Sequence, residues 1–301
     1  MSDLKISNLF SVDGLVAIVT GAGSGLGRTM ALALDANGAA KVFGVGRRES
    51  SLQETAELAI NKSIVPIRAD ISSKTDLEAA TKAISAQTEY VDLLVANGAV
   101  VGPPIKAPSA KEDESPHSLT EIRDHLWSFS AEEFNQVMEI NVAGSYYTAL
   151  AFLPLLDAAN KRRPAPEKNT PAAPTAQIII TSSIAGFGRR VPSSFPYSLS
   201  KAATNHLIKL LSTFLAPYLI RVNGIAPGLF HSEMSSFLFG ASDTGVSDGS
   251  LPRDMIPLGR AGSQQDVASL LLWLAGPSGA YISGNITITD GGRVSTMPAV
   301  Y

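Results

Sequence analysis

Gly21-Ala22-Gly23-Ser24-Gly25-Leu26-Gly27 sets glycines directly between the apolar run Leu15-Val16-Ala17-Ile18-Val19-Thr20 and a helical pattern at 28–36. A strand that turns through glycine into a helix start builds an anion site. Without β-carbons the backbone can approach a pyrophosphate, and the first N–H groups of the helix, at its positive dipole end, face the negative charge. A second strand pattern begins at residue 42, completing the β-α-β unit that binds nucleotides. The expected ligand is a dinucleotide, with Gly21, Ser24, Gly25, Leu26 and Gly27 as its binding turn.

The same rhythm runs along the chain. Strand patterns fall at 16–20, 42–46, 64–69, 93–96, 178–181, 221–225 and 286–289, and helical patterns at 28–36, 52–61, 74–86, 131–156, 197–215 and 265–275. Several strands are apolar on both faces, as strands buried in a parallel sheet are. Right-handed crossovers then predict an α/β fold, a Rossmann-type doubly wound parallel sheet of about seven strands with helices on both faces. With 301 residues, 45% of them apolar, the chain can bury one large core, so 1–301 is read as a single domain. Two proline-rich stretches, about 103–130 and 157–176, read as solvated surface insertions.

Composition narrows the partners. With 24 basic and 27 acidic residues, the net charge of −3 gives no reason to expect nucleic acid or an anionic membrane. The lack of cysteine removes disulfides and thiolate metal sites, and His117, His125, His206 and His231 are scattered without ligand spacing, so no metal is expected. No segment reaches the roughly 18 unbroken apolar residues of a membrane span, and Met1-Ser2-Asp3-Leu4-Lys5 has no apolar signal stretch. A cytoplasmic protein is the expectation.

Tyr197-Ser198-Leu199-Ser200-Lys201 puts a phenol and an ammonium one helical turn apart on one face. The positive charge is expected to lower the tyrosine pKa from about 10 toward the working range of a general acid or base. Upstream, the strand at 178–181 ends in Ser182-Ser183, at the carboxyl edge of the sheet where open α/β folds bind ligands. Asn141 is a polar residue in an apolar helical stretch and needs partners if buried, for a functional role or for a structural hydrogen bond or kink.

Together and in order, these motifs resemble those of the short-chain dehydrogenase/reductase family over about residues 12–293. The likeness rests on the glycine turn, Ala96-Asn97-Gly98-Ala99, Asn141, Ser183, Tyr197 with Lys201, Arg221-Val222-Asn223-Gly224-Ile225-Ala226-Pro227-Gly228, Ser283-Gly284 and Asp290-Gly291-Gly292. It implies NAD(P)-dependent hydride transfer to or from a carbonyl. By the resemblance, Tyr197 donates the proton, Lys201 holds the nicotinamide ribose and lowers the tyrosine pKa, Ser183 polarises the substrate oxygen, and Asn141 positions a water that relays protons toward Lys201. Asp70 and Ile71 would contact the adenine, Asn97 and Gly98 the cofactor side, and Pro227, Gly228, Leu229 and Ser232 the nicotinamide end. Three departures stand out: Ala96-Asn97-Gly98-Ala99 replaces Asn-Asn-Ala-Gly, the Ser183–Tyr197 segment is about one residue longer than usual, and the region 103–130 is longer than the family norm.

After the second strand, Gly46-Arg47-Arg48 offers no carboxylate for an adenosine ribose but two guanidiniums for a 2′-phosphate. NADPH is therefore the expected coenzyme. By the resemblance, the stretch 229–262 is the lid over coenzyme and substrate, with Leu229, Phe230, Met234, Phe237, Leu238, Phe239 and Met255 on it. Those residues, with Phe187 and Phe195 and no basic cluster in the lid, predict a neutral apolar ketone, in a reductase of secondary metabolism. Alcohol oxidation and a redox-inactive binding or cyclase protein of the same fold are the alternatives. The family likeness also predicts a homotetramer or homodimer.

Overall fold

All five positions of β1 (Val16–Thr20) are buried, the pattern expected of a strand covered on both faces. The computed structural model describes residues 4–109, 111, 115–165, 167–170, 172–191, 193–233, 235, 239 and 244–300. Strands β1, β2 (Lys41–Gly46), β3 (Ile64–Arg68), β4 (Leu93–Ala96), β5 (Gln177–Thr181), β6 (Arg221–Pro227) and β7 (Ile286–Thr289) form one sheet in the order β3-β2-β1-β4-β5-β6-β7. Every pairing is parallel. Chain order reverses between β1 and β4, and the crevice at the carboxyl ends of those neighbours is where such sheets bind ligands.

The helices are α1 (Ile6–Leu9), α2 (Gly25–Ala36), α3 (Glu49–Leu58), α4 (Lys74–Ser85), α5 (Leu119–Trp127), α6 (Ala131–Met138), α7 (Gly144–Ala151), α8 (Leu153–Lys161), α9 (Phe195–Leu215) and α10 (Gln264–Ala275). Alternate strand residues send side chains to two cores. Ile18, Leu94, Ile178 and Val222 pack with Ile84 of α4, Leu156 of α8 and Ile208 of α9. Ala17, Val19, Val95 and Ile225 face the other way, onto Leu34 of α2, Leu52 of α3 and Leu271 of α10. Each large side chain so buried contributes about 1.5–3 kcal/mol of transfer free energy. The cores hold the strand ends, and so the crevice, in fixed register.

Two local features differ from the sequence expectation. The helix read at 131–156 is broken: α6 passes through a π-helical turn, Glu139–Ala143, into α7, and a bend at Phe152 precedes α8. Pro154, at the start of α8, has no N–H to continue the earlier ladder. The expected insertion at 103–130 contains α5, fixed by a reciprocal cap in which Ser118 Oγ accepts from Glu121 N and Glu121 returns to the Ser118 backbone. Among the described residues no single helix is long and apolar enough to cross a membrane.

Candidate active site

The glycine turn is shaped by close approach. A β-carbon on Gly27 would lie 2.2 Å from the Gly21 carbonyl oxygen and 2.6 Å from Asn97 Nδ2, and one on Gly21 would lie 2.9 Å from that same amide. Asn97 Nδ2 donates to Thr20 O at 3.2 Å, while Thr20 Oγ1 accepts from Asn97 N at 3.0 Å and Gly98 N at 3.1 Å. The ends of β1 and β4 are thereby tied, and Asn97 braces the turn. From behind, Thr55 Oγ1 donates to Ala22 O at 3.0 Å and Arg28 to Gly23 O at 2.7 Å, with Arg28 also paired to Glu54. Gly21 N and Ala22 N both donate to Val45 O, so the turn's donors for an anion lie at the start of α2. Ser24 occupies the cap position of α2 without a side-chain cap bond, so the helix start keeps its donors for an anion.

A cavity of about 1150 Å³ runs along the crevice. All residues that the sequence assigns to the coenzyme line it except Gly27, which lies beneath the turn; Ser183, Tyr197 and Lys201 line it as well, and Asn141 does not. Gly21, Ser24, Arg47, Arg48, Asp70 and Ile71 border one half, and Thr181, Ser183, Tyr197, Pro227 and Gly228 the other. A dinucleotide fits these surroundings: a cradle that β-carbons would fill, an uncapped helix start, and Thr181 Oγ1 buried without a partner.

Ser194 caps α9, its Oγ accepting from Tyr197 N at 3.2 Å, which fixes where the tyrosine leaves the loop. Lys201 is 2% exposed; its Nζ donates to Thr181 O at 2.8 Å and lies 5.8 Å from the centre of the Tyr197 ring. Burial pulls the lysine pKa down to about 8. The tyrosine differs from the expectation. Desolvation raises its pKa above the ordinary value, and the neighbouring Ser183 hydroxyl pulls it back only in part. The ammonium was expected to dominate, but desolvation of the phenolate is the larger effect and the Ser183 hydroxyl the one that opposes it. In the free protein the phenol therefore keeps its proton at neutral pH.

The two serines are sorted by their partners. Ser182 Oγ turns into α9, bonded to Asn205 Oδ1 and Lys201 O, whereas Ser183 Oγ accepts from Ala185 N at 3.1 Å and faces the phenol. Asn141 sits 1% exposed in the π-turn. Its Oδ1 accepts from Val100 N at 2.8 Å, and its Nδ2 donates to Val100 O at 2.9 Å and to Ser200 Oγ at 3.0 Å. Ser200 in turn donates to Tyr197 O at 2.7 Å. The side chain links the β4 loop to α9.

The lid segment lies over the glycine turn. A β-carbon on Gly25 would lie 3.2 Å from that of Ser232, and Glu233 pairs with Arg48 at 2.7 Å. The Arg48 hydrogen bond holds the Glu233 carboxyl below its usual range. Arg48 is thus already matched by a carboxylate from across the cleft, while Arg47 is exposed on the cavity wall. Phe230 and Met255 line the cavity; Phe239 packs on His231 at 5.4 Å between ring centres. Met234, Phe237 and Leu238 lie outside the described residues. Phe187 and Phe195, counted above as signs of an apolar substrate, do not line the cavity, and Phe195 is exposed. Lys106, Arg190, Arg293 and Met297 line it instead. No periodic pattern marks them, since they lie in separate irregular segments.

The described parts define a nucleotide-binding α/β protein with a buried Tyr-Lys pair at the carboxyl edge of its sheet. Residues 15–241 match the family model described as short chain dehydrogenase, and the chain belongs to the short-chain dehydrogenase/reductase family. It is 41% identical over 301 residues to the short-chain dehydrogenase/reductase PhomF of Diaporthe leptostromiformis, covering 99% of this chain and 97% of that one. The solved Pseudomonas aeruginosa RhlG/NADP active-site complex superposes with a TM-score of 0.75 at 30% identity, covering 95% of this chain and 98% of that one. The Brucella melitensis 3-ketoacyl-(acyl-carrier-protein) reductase complexed with NADH gives 0.71 at 27%, covering 94% and 100%. Relatives of this fold therefore hold either coenzyme.

Proposed function

We propose that this protein is an NADPH-dependent reductase of a ketone or aldehyde on a small molecule. The observation that carries the reading is the meeting of Ser183, Tyr197 and Lys201 on the wall of the cavity that begins at the glycine turn. Bound there, NADPH supplies the hydride. Ser183 donates a hydrogen bond to the carbonyl oxygen, where negative charge develops, and such a fixed donor acts most strongly in the transition state. Tyr197 gives its proton to that oxygen. Burial raises the Tyr197 pKa, so at neutral pH the phenol carries the proton that reduction needs. Lys201 spends one N–H on Thr181 and keeps its other donors for the nicotinamide ribose. Asn141 acts through structure, fixing Ser200 and with it the first turn of α9.

The coenzyme reading rests on Arg47 and Arg48. A 2′-phosphate would take the place of Glu233 at Arg48 and add paired donors from Arg47. Catalytic efficiency with NADPH should exceed that with NADH by at least about tenfold, and Arg47→Ala with Arg48→Ala should remove most of the difference, since charge-assisted bonds to one phosphate contribute about 1.5–3 kcal/mol each. Equal efficiency in the unsubstituted protein would refute the preference.

The lysine adds a pH signature. A pKa lowered to about 8 means that its positive charge is lost as pH rises through that value. The kcat/KM for NADPH, which reports the free enzyme, should fall by about tenfold per unit on the alkaline side. A profile flat to pH 10 would show that the ammonium is not needed for coenzyme capture. We further propose 1–301 as one functional domain, with the stretch beginning at Leu229 as the lid.

A further inference from the structure

We infer that the substrate carries a carboxylate, recognised by Lys106, Arg190 and Arg293 at the substrate end of the cleft. This rests on the reductase reading above. The chain is net negative, yet the cavity wall holds six cationic side chains against two carboxylates, Asp70 and Glu233. Both carboxylates lie at the coenzyme end and are engaged, Glu233 with Arg48 and Asp70 with the Ser72 hydroxyl and amide. Setting aside Arg47, Arg48 and the catalytic Lys201 leaves three cations without an assigned role.

Sheet order separates them from the coenzyme phosphates. Arg47 and Arg48 follow β2, on one side of β1; Lys106 follows β4, Arg190 follows β5 and Arg293 follows β7, all on the other. Backbone bonds then draw the three segments toward the catalytic tyrosine. Phe195 N, two residues before Tyr197, donates to Ile105 O at 2.8 Å, beside Lys106. Arg190 lies between Ser183 and Tyr197, and its loop is stitched to the chain beyond Arg293: Arg189 N donates to Pro298 O and Val300 N to Phe187 O, each at 2.8 Å, with an antiparallel bridge between Gly188 and Ala299.

None of the three belongs to an ion pair among the described residues. Arg293 is half-buried; the nearby Asp290 carboxylate accepts from the amides of Gly292 and Val294 and offers the guanidinium its charge but no direct ion pair. No hydrogen bond occupies the guanidinium among the described residues, and a planar carboxylate is a partner that its paired donors match. The neutral ketone expected from the sequence followed from a lid without a basic cluster; these cations come from outside the lid.

The test compares 4-acetylbenzoate with its methyl ester, which share a ketone and differ in charge, by NADPH oxidation and by calorimetric binding to the protein loaded with NADP. The acid should show at least a tenfold higher kcat/KM and measurable binding where the ester shows little. Lys106→Met and Arg190→Met, both exposed and replaceable without loss of core packing, should each lower the acid's kcat/KM severalfold toward that of the ester. Selective binding of the acid without reduction of either compound would support the anion site and leave the reductase reading to the wider panel of ketones. Equal use of acid and ester, binding of neither, or variants that affect both alike would overturn the inference while leaving the reductase reading to its own test.

Discussion

Tyr197→Phe should lower kcat by about 10²–10⁴, the range attributable to a positioned general acid, while NADPH binds nearly as before. The substitution removes one oxygen and keeps the ring, so the packing that holds α9 against the crevice is retained. What disappears is the proton for the developing alkoxide and the phenol that Ser183 faces. Ser183→Ala should cost less, about 10²–10³, because it removes a hydrogen bond and no proton. The check is kcat on a ketone that the unsubstituted protein reduces, beside coenzyme titration by fluorescence. A fully active phenylalanine variant would show that another group delivers the proton.

Gly27→Ala should abolish tight coenzyme binding and also destabilise the fold. Its β-carbon would meet the Gly21 carbonyl oxygen at 2.2 Å and the Asn97 amide at 2.6 Å. Neither neighbour is a flexible chain end: one is backbone in the turn itself, the other is tied to Thr20. The turn must open or α2 must retreat, at a cost of about 1–3 kcal/mol, and either motion withdraws the N–H groups from the pyrophosphate. Thermal unfolding should begin a few degrees lower, and the Kd for NADPH should rise more than tenfold. A variant with unchanged Tm and unchanged Kd would show that the close approach of Gly27 to Gly21 does not shape the anion site.

The strands were legible because a buried parallel sheet leaves continuous apolar runs, and β1, β4 and β7 begin and end where the pattern does. The helix at 131–156 misled because periodicity is blind to a π-turn, although Pro154 marked the second break. α5 had a readable sign in Ser118 and Glu121, whose spacing is that of a capping box. Ser183, Tyr197 and Lys201 could be singled out because they sit in patterned segments. Lys106, Arg190 and Arg293 could not, since only the sheet order gathers them. The direction of the Tyr197 shift was equally hidden: a spacing of four residues states that a charge is near, but the loss of water around the phenol exists only in three dimensions.

The central claim is that this cleft moves a hydride from NADPH onto a carbonyl carbon. Incubating the purified protein with 4-deuterated NADPH and a panel of aryl ketones and keto acids, followed by mass spectrometry, tests it directly. Deuterium from one face of the nicotinamide should appear on the carbinol carbon of a product, and the Tyr197→Phe protein should give almost none. Coenzyme binding with no deuterium transferred to any member of the panel would contradict the claim.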